Sequence, residues 1–121
     1  MRRDGYISIE VRKSGLHDVT VVDVTGVIDT GTTLILDEHL SGLLREQKYR
    51  LIINLAQVTY VSSAGWGLFV SLLPKTRDHQ GDIKLVAMTP EVRNVFNMLA
   101  FSNLIAAYLT EEEAIAAFKQ K

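Results

Sequence analysis

Apolar and polar residues alternate with period two along Tyr6-Ile7-Ser8-Ile9-Glu10-Val11-Arg12, the signature of a half-buried strand. Ser14-Gly15 with Leu16-His17-Asp18 reads as a turn, and Val19-Thr20-Val21-Val22-Asp23-Val24 as a second strand, so the two predict a hairpin. After Gly26 the period lengthens. Leu34, Leu36, Leu40, Leu43 and Leu44 recur at helical spacing as far as Arg45, with Thr32 or Thr33 placed to cap the start. Leu51-Ile52-Ile53-Asn54-Leu55 is a short apolar run suited to a strand covered on both faces. A helical pattern runs from about Ser63 to His79 and ends near Gly81, a C-terminal cap, while Pro74 inside it predicts a kink or a shortening. Ile83-Lys84-Leu85-Val86-Ala87 predicts another strand. Thr89-Pro90-Glu91 supplies an N-cap, a first-turn proline and a first-turn acid, and Val92, Val95, Phe96 and Leu99 form the apolar stripe behind it. Leu104-Ile105-Ala106-Ala107-Tyr108 is a last strand. Thr110 and Glu113, three apart, predict a capping box ahead of Ala114-Ile115-Ala116-Ala117-Phe118. Strands alternating with single helices imply parallel crossovers. The expected fold is therefore α/β, with a central mixed sheet, an N-terminal hairpin and about four helices.

Composition narrows the function. At 121 residues and 13.5 kDa, 47% hydrophobic and 22% charged, residues 1–121 are expected to form one globular domain. Thirteen Lys+Arg against fourteen Asp+Glu give a net charge of -1, so the basic footprint of a nucleic-acid or anionic-membrane binder is absent. There is no cysteine, which excludes disulfides, thiolate metal sites and a cysteine nucleophile. His17, His39 and His79 lack metal-ligand spacing, and nothing suggests a cofactor. The opening Met1-Arg2-Arg3-Asp4-Gly5 leads into alternating residues rather than an apolar signal core, and no run approaches the ~20 apolar residues of a membrane span. The expectation is a cytoplasmic protein that neither binds nucleic acid nor inserts into membranes.

Candidate catalytic motifs dissolve on inspection. Asp29-Thr30-Gly31-Thr32, between Val27-Ile28 and Leu34-Ile35-Leu36, resembles an aspartic-protease loop. That chemistry needs two carboxylates sharing a proton, hence a dimer, on an almost entirely β scaffold; four helical patterns argue against it, and the threonines serve equally as turn formers and caps. Ser62-Ser63-Ala64-Gly65-Trp66-Gly67 lacks the glycine two positions before either serine that a nucleophile elbow requires. No phosphate-loop string occurs. Glu111-Glu112-Glu113 opens a helix, where acids are favoured by the dipole.

The informative segment is Val58-Thr59-Tyr60-Val61-Ser62-Ser63-Ala64-Gly65-Trp66-Gly67, which joins a buried strand to a helix through small residues. Ser62 or Ser63 is expected at the N-cap, satisfying an orphan N–H. A hydroxyl at a helix start is also accessible to phosphorylation, and the free amides there tolerate the new charge. Trp66 is either a core anchor or, if exposed, an interface anchor.

At this segment the chain resembles the STAS domain family, and within it the single-domain bacterial anti-sigma factor antagonists. Their signature is an apolar strand ending in Asp-Leu, a following Val, then Ile-Asp-Ser-Ser-Gly-Leu-Gly opening a helix. Here the strand ends Asn54-Leu55, Val58 follows, and the loop reads Val61-Ser62-Ser63-Ala64-Gly65-Trp66-Gly67. Without a gap, Ser63 falls on the family's phosphorylatable serine. The family's Gly-x-x-Asp before the first helix matches Gly26-Val27-Ile28-Asp29, and the helix start Thr89-Pro90-Glu91-Val92 also agrees. Ser62 replaces the acid before the phosphorylatable serine and becomes a rival acceptor; Trp66 replaces a leucine and Asn54 the strand-end acid.

The resemblance implies a non-enzymatic partner switch. The unphosphorylated protein binds a GHKL-type serine kinase that doubles as an anti-sigma factor; the kinase phosphorylates Ser63 and is released, and a metal-dependent serine phosphatase resets the switch. The implied contact face comprises Asp29, Thr30, Thr32 and Thr33 with Ser62, Ser63, Ala64, Gly65 and Trp66. The alternative within the family is a constitutive scaffold or transporter-associated subunit in which both serines are only caps.

Overall fold

A computed structural model describes residues 5–120. Strand β1 (Ile7–Lys13) turns back into β2 (Thr20–Ile28), followed by α1 (Thr30–Arg45), β3 (Arg50–Val61), α2 (Ser63–Ser71), α3 (Leu73–Asp78), β4 (Asp82–Val86), α4 (Pro90–Met98), a 3₁₀ turn (Phe101–Asn103), β5 (Ala106–Tyr108) and α5 (Glu111–Lys119). The sheet order is β1-β2-β3-β4-β5. β1 pairs antiparallel with β2, and every later pair is parallel, so the expected mixed sheet with an N-terminal hairpin is what forms. The helical run after Ser63 divides at Leu72, where Pro74 starts α3 within its first two positions because its ring cannot continue α2.

The period-two alternation divides the core between two faces. Val22, Val24, Leu51, Ile53, Ile83 and Leu85 point to one side, where they pack with Leu36 and Leu40 of α1, Phe69 of α2 and Phe96 of α4. Val21, Ile52 and Val86 point to the other side, against Ala114 and Phe118 of α5. Polar residues of β1, β2, β3 and the start of α5 tie the second face together. The Arg12 guanidinium bridges Asp23 at 2.6 Å and Glu111 at 2.6 Å, and Asn54 Nδ2 donates to Asp23 at 2.8 Å. Arg12, and then Asn54, hold the Asp23 carboxyl below the ordinary aspartate range against the opposing effect of burial.

Three elements differ from the sequence expectation. β2 runs on to Ile28 rather than stopping at Val24. β3 runs to Val61 rather than stopping at Leu55, because β3 carries extra residues at two bulges: Asp23↔Asn54 gives way to Thr25↔Gln57, and Gly26↔Val58 to Val27↔Tyr60. Each bulge moves the alternation out of step, so Leu55, Val58 and Val61 are buried while Ala56, Gln57, Thr59 and Tyr60 are exposed. At the same point in β2, Gly26 adopts φ +116, and a Cβ there would lie 2.0 Å from the Tyr6 carbonyl oxygen, so only glycine fits. β5 is also shorter than expected, since Leu104 and Ile105 belong to the turn before it.

Capping differs in detail. α3 ends with Gln80, not Gly81, in the left-handed region (φ 61), and the Gly81 N–H closes the turn on the Thr76 carbonyl at 2.7 Å. At α5 the Glu113 N–H donates to Thr110 Oγ1 as expected, but the Glu113 carboxylate accepts from the Leu109 N–H rather than that of Thr110. Half of the α4 stripe is also not core. Val92 and Phe96 are buried, whereas Val95 and Leu99 stand 38% and 51% exposed.

Candidate functional site

β2 and β3 run parallel and finish side by side, with Ile28 opposite Val61 and the Ser62 N–H donating to the Ile28 carbonyl at 2.8 Å. The next residue in each chain segment opens a helix. Two helix N-termini therefore meet at one end of the sheet, outside the carboxyl ends of two interior strands, where α/β folds place their sites.

Asp29 caps the first. Its Oδ1 accepts from the Thr32 N–H at 2.8 Å, while Thr32 Oγ1 accepts from the Asp29 N–H at 2.8 Å and donates to the Val27 carbonyl at 2.8 Å. Thr33 Oγ1 donates to the Asp29 carbonyl at 2.6 Å. The cap of α1 is thus Asp29 rather than Thr32 or Thr33. Both threonines are buried with their hydroxyls committed to the backbone, which removes them from the expected contact face; Thr30 remains exposed on it. The Thr32 amide, chiefly, holds the Asp29 carboxyl below the usual aspartate range. A carboxylate capping a 16-residue helix, with five α-helices among the described residues, is not the paired-acid β scaffold of an aspartic protease, and that alternative is overturned.

At the second N-terminus the two serines separate. Ser62 is the cap, 9% exposed, with its Oγ accepting from the Gly65 N–H at 3.3 Å. Ser63 is the first residue of α2 and is exposed, and its hydroxyl makes no hydrogen bond among the described residues. Ala64 is exposed beside it, whereas Gly65 is buried: a Cβ there would meet Ile28 Cγ2 at 2.6 Å and Val61 Cγ1 at 2.9 Å. Glycine at this position lets α2 start directly against both strand ends. Trp66 is 1% exposed and packs on Phe101, Phe96 and Phe69 at ring separations of 5.4, 5.6 and 6.3 Å. Gly65 and Trp66 therefore support the site from beneath rather than forming its contact surface.

This end of the sheet offers the exposed Ser63 hydroxyl on the first turn of α2, with Thr30 exposed on the first turn of α1 and the Asp29 carboxylate held by its own cap. Among the described residues, no three His, Asp or Glu side chains cluster to hold a metal, and no helix is long and apolar enough to cross a membrane.

The pattern of the STAS domain matches residues 8–114, and the chain belongs to that family. Among curated relatives, BtrV of Bordetella bronchiseptica, assigned by name to the anti-sigma factor antagonists, is 29% identical over 104 residues, spanning 86% of this chain and 90% of BtrV. The anti-sigma-B factor antagonist of Listeria monocytogenes is 27% identical over 107 residues, 88% of this chain and 93% of the relative. The anti-sigma factor antagonist SpoIIAA in its unphosphorylated form shares the fold with a TM-score of 0.75 at 20% identity, over 93% of this chain and 96% of that one. Its phosphorylated form matches with a TM-score of 0.66 over 91% and 98%.

Proposed function

We propose that this chain is an anti-sigma factor antagonist that works by partner switching, with Ser63 as the phosphorylated residue. The observation that carries the reading is the division of labour at α2: Ser62 is buried as the cap, leaving the Ser63 hydroxyl exposed and without a hydrogen bond among the described residues. Relatives of nearly full-length overlap named as antagonists support the class, and SpoIIAA shows that this fold exists in phosphorylated and unphosphorylated forms.

The partner is a GHKL-type serine kinase that also restrains a sigma factor. Bound through Asp29, Thr30, Ser63, Ala64 and the exposed side of α2, the antagonist frees the kinase's other client. Ser63 Oγ then attacks the γ-phosphorus of ATP held by the kinase. The new O–P bond forms as the bond to the ADP oxygen breaks, and the serine proton passes to a kinase base. The helix start tolerates the new charge of about -2 within the antagonist. At the interface the same charge must be stripped of water, and each ~1.4 kcal/mol of that penalty weakens binding tenfold. A metal-dependent serine phosphatase then transfers the phosphoryl group to water and restores the hydroxyl. An ATP-dependent cycle of this kind places the protein in the cytoplasm.

The test uses wild type and Ser63→Asp as paired baits in lysate of the source organism. Wild type is expected to retain a protein that phosphorylates Ser63 with ATP, and Ser63→Asp, although folded, to lose it. Equal retention by both baits would make Ser63 part of a constitutive scaffold.

A further inference from the structure

The core layer on the α4 side of the sheet tapers toward one edge. Across the register it runs Val22, Ile53, Leu85 and then Ala107, so the last strand puts a methyl group where its neighbours put branched chains. β5 is the outermost strand on that side. The space that Ala107 leaves is a cavity of ≈ 400 Å³ between β5 and the flank of α4 turned away from Ser63. Buried Met88, Phe96 and Ile105 line it, and Leu109, 60% exposed, also borders it.

One charge faces this apolar space. Arg93 and Asn97, one helical turn apart, form the α4 wall. Arg93 Nη2 donates to the Met88 carbonyl at 3.1 Å, which uses one of the five N–H donors of a guanidinium. Arg12, Arg50 and Arg77 each meet an aspartate; Arg93 meets no carboxylate among the described residues, and no acid lines the cavity. We infer that this cavity binds a small monocarboxylate with an apolar body, the body resting on Met88, Phe96 and Ile105 and the carboxylate on Arg93 and Asn97. A largely apolar concavity with a few convergent polar groups is the form that small-ligand sites take, and a guanidinium holds a carboxylate through charge-assisted hydrogen bonds. A peptide strand added to β5 is the poorer occupant. β5 is three residues long, and the Leu109 N–H beyond it is already given to Glu113 Oε1 at 3.0 Å. The cavity shares no lining residue with the one beside Ser63, so its occupation does not depend on phosphorylation there.

The experiment titrates hexanoate and phenylbutyrate into the isotope-labelled 121-residue chain, followed by amide NMR. Saturable binding below about 1 mM is expected, with shifts concentrated in Arg93 to Asn97 and Ile105 to Leu109. Phenylbutyramide keeps the apolar body without the charge and is expected to bind at least about tenfold more weakly. The same loss is expected for phenylbutyrate with Arg93→Gln, and with Ala107→Leu, which extends a branched chain into the cavity; dispersed spectra establish that each variant is folded. No saturable shift up to about 10 mM of either acid, equal binding of acid and amide, or wild-type affinity in Arg93→Gln would overturn the site. So would a folded Ala107→Leu that binds as wild type does.

Discussion

Ser62 and Ser63 are chemically identical neighbours, and one peptide unit of backbone geometry gives them different work. Ser62 has the extended conformation of an N-cap (φ -78, ψ 170), aiming its Oγ at the Gly65 N–H; Ser63 is already helical and points outward. Ser62→Ala is therefore expected to destabilise the fold by about 0.5–2 kcal/mol, and Ser63→Ala to stay within about 0.5 kcal/mol of wild type, both read from urea denaturation. The reverse order would place the cap on Ser63 and remove the free hydroxyl. Sequence could not separate the two, since either serine can cap a helix. The same limit applied to Asp29, Thr32 and Thr33, all three of them cap formers, where the extended backbone of Asp29 decides. Trp66 was ambiguous for another reason: whether an indole flanked by glycines is buried depends on Phe96 and Phe101, some thirty residues away in the chain.

At the scale of elements, helix positions were legible because their caps and periods are local. Thr89-Pro90 and Thr110 open α4 and α5 where the chain said they would. The full length of β3 was not legible, because two bulges change its burial period from two to three after Leu55. That extension carries Ser62 and Ser63 past the end of β4 to the same end of the sheet as the start of α1. The bulged stretch depends on Gly26. Gly26→Ala must place a Cβ against the Tyr6 carbonyl and hold an unfavourable φ, so it is expected to lose at least about 1–3 kcal/mol; an unchanged urea midpoint would show that the strand ends reach this end of the sheet by another route. The exposed half of the α4 stripe, Val95 and Leu99, carried a helical period that sequence reads as core. Apolar periodicity alone does not distinguish a face buried within the chain from one awaiting a partner.

Across the whole molecule, the sheet is closed by α1 to α4 on one face and by α5 with the Arg12–Asp23–Asn54–Glu111 network on the other. Asp23 and Asp29 both have carboxyls held below their ordinary range in the folded state. The unfolded chain thus binds protons first as pH falls, and the stability from both groups is fully present above about pH 4 and is lost as pH drops through their folded-state values. Urea midpoints are expected to be flat from neutrality down to about pH 5 and to fall below about pH 4, less steeply in Asp23→Asn. An equal slope in that variant would mean that Arg12 does not hold Asp23 in solution.

The most direct test of the Ser63 switch is the affinity of the kinase for the same antagonist before and after phosphorylation, with the modified residue mapped by mass spectrometry. Partner switching predicts a single phosphoryl group on Ser63, none on Ser62, and binding weakened by at least tenfold. Phosphorylation elsewhere, or equal affinity of the two forms, would contradict it.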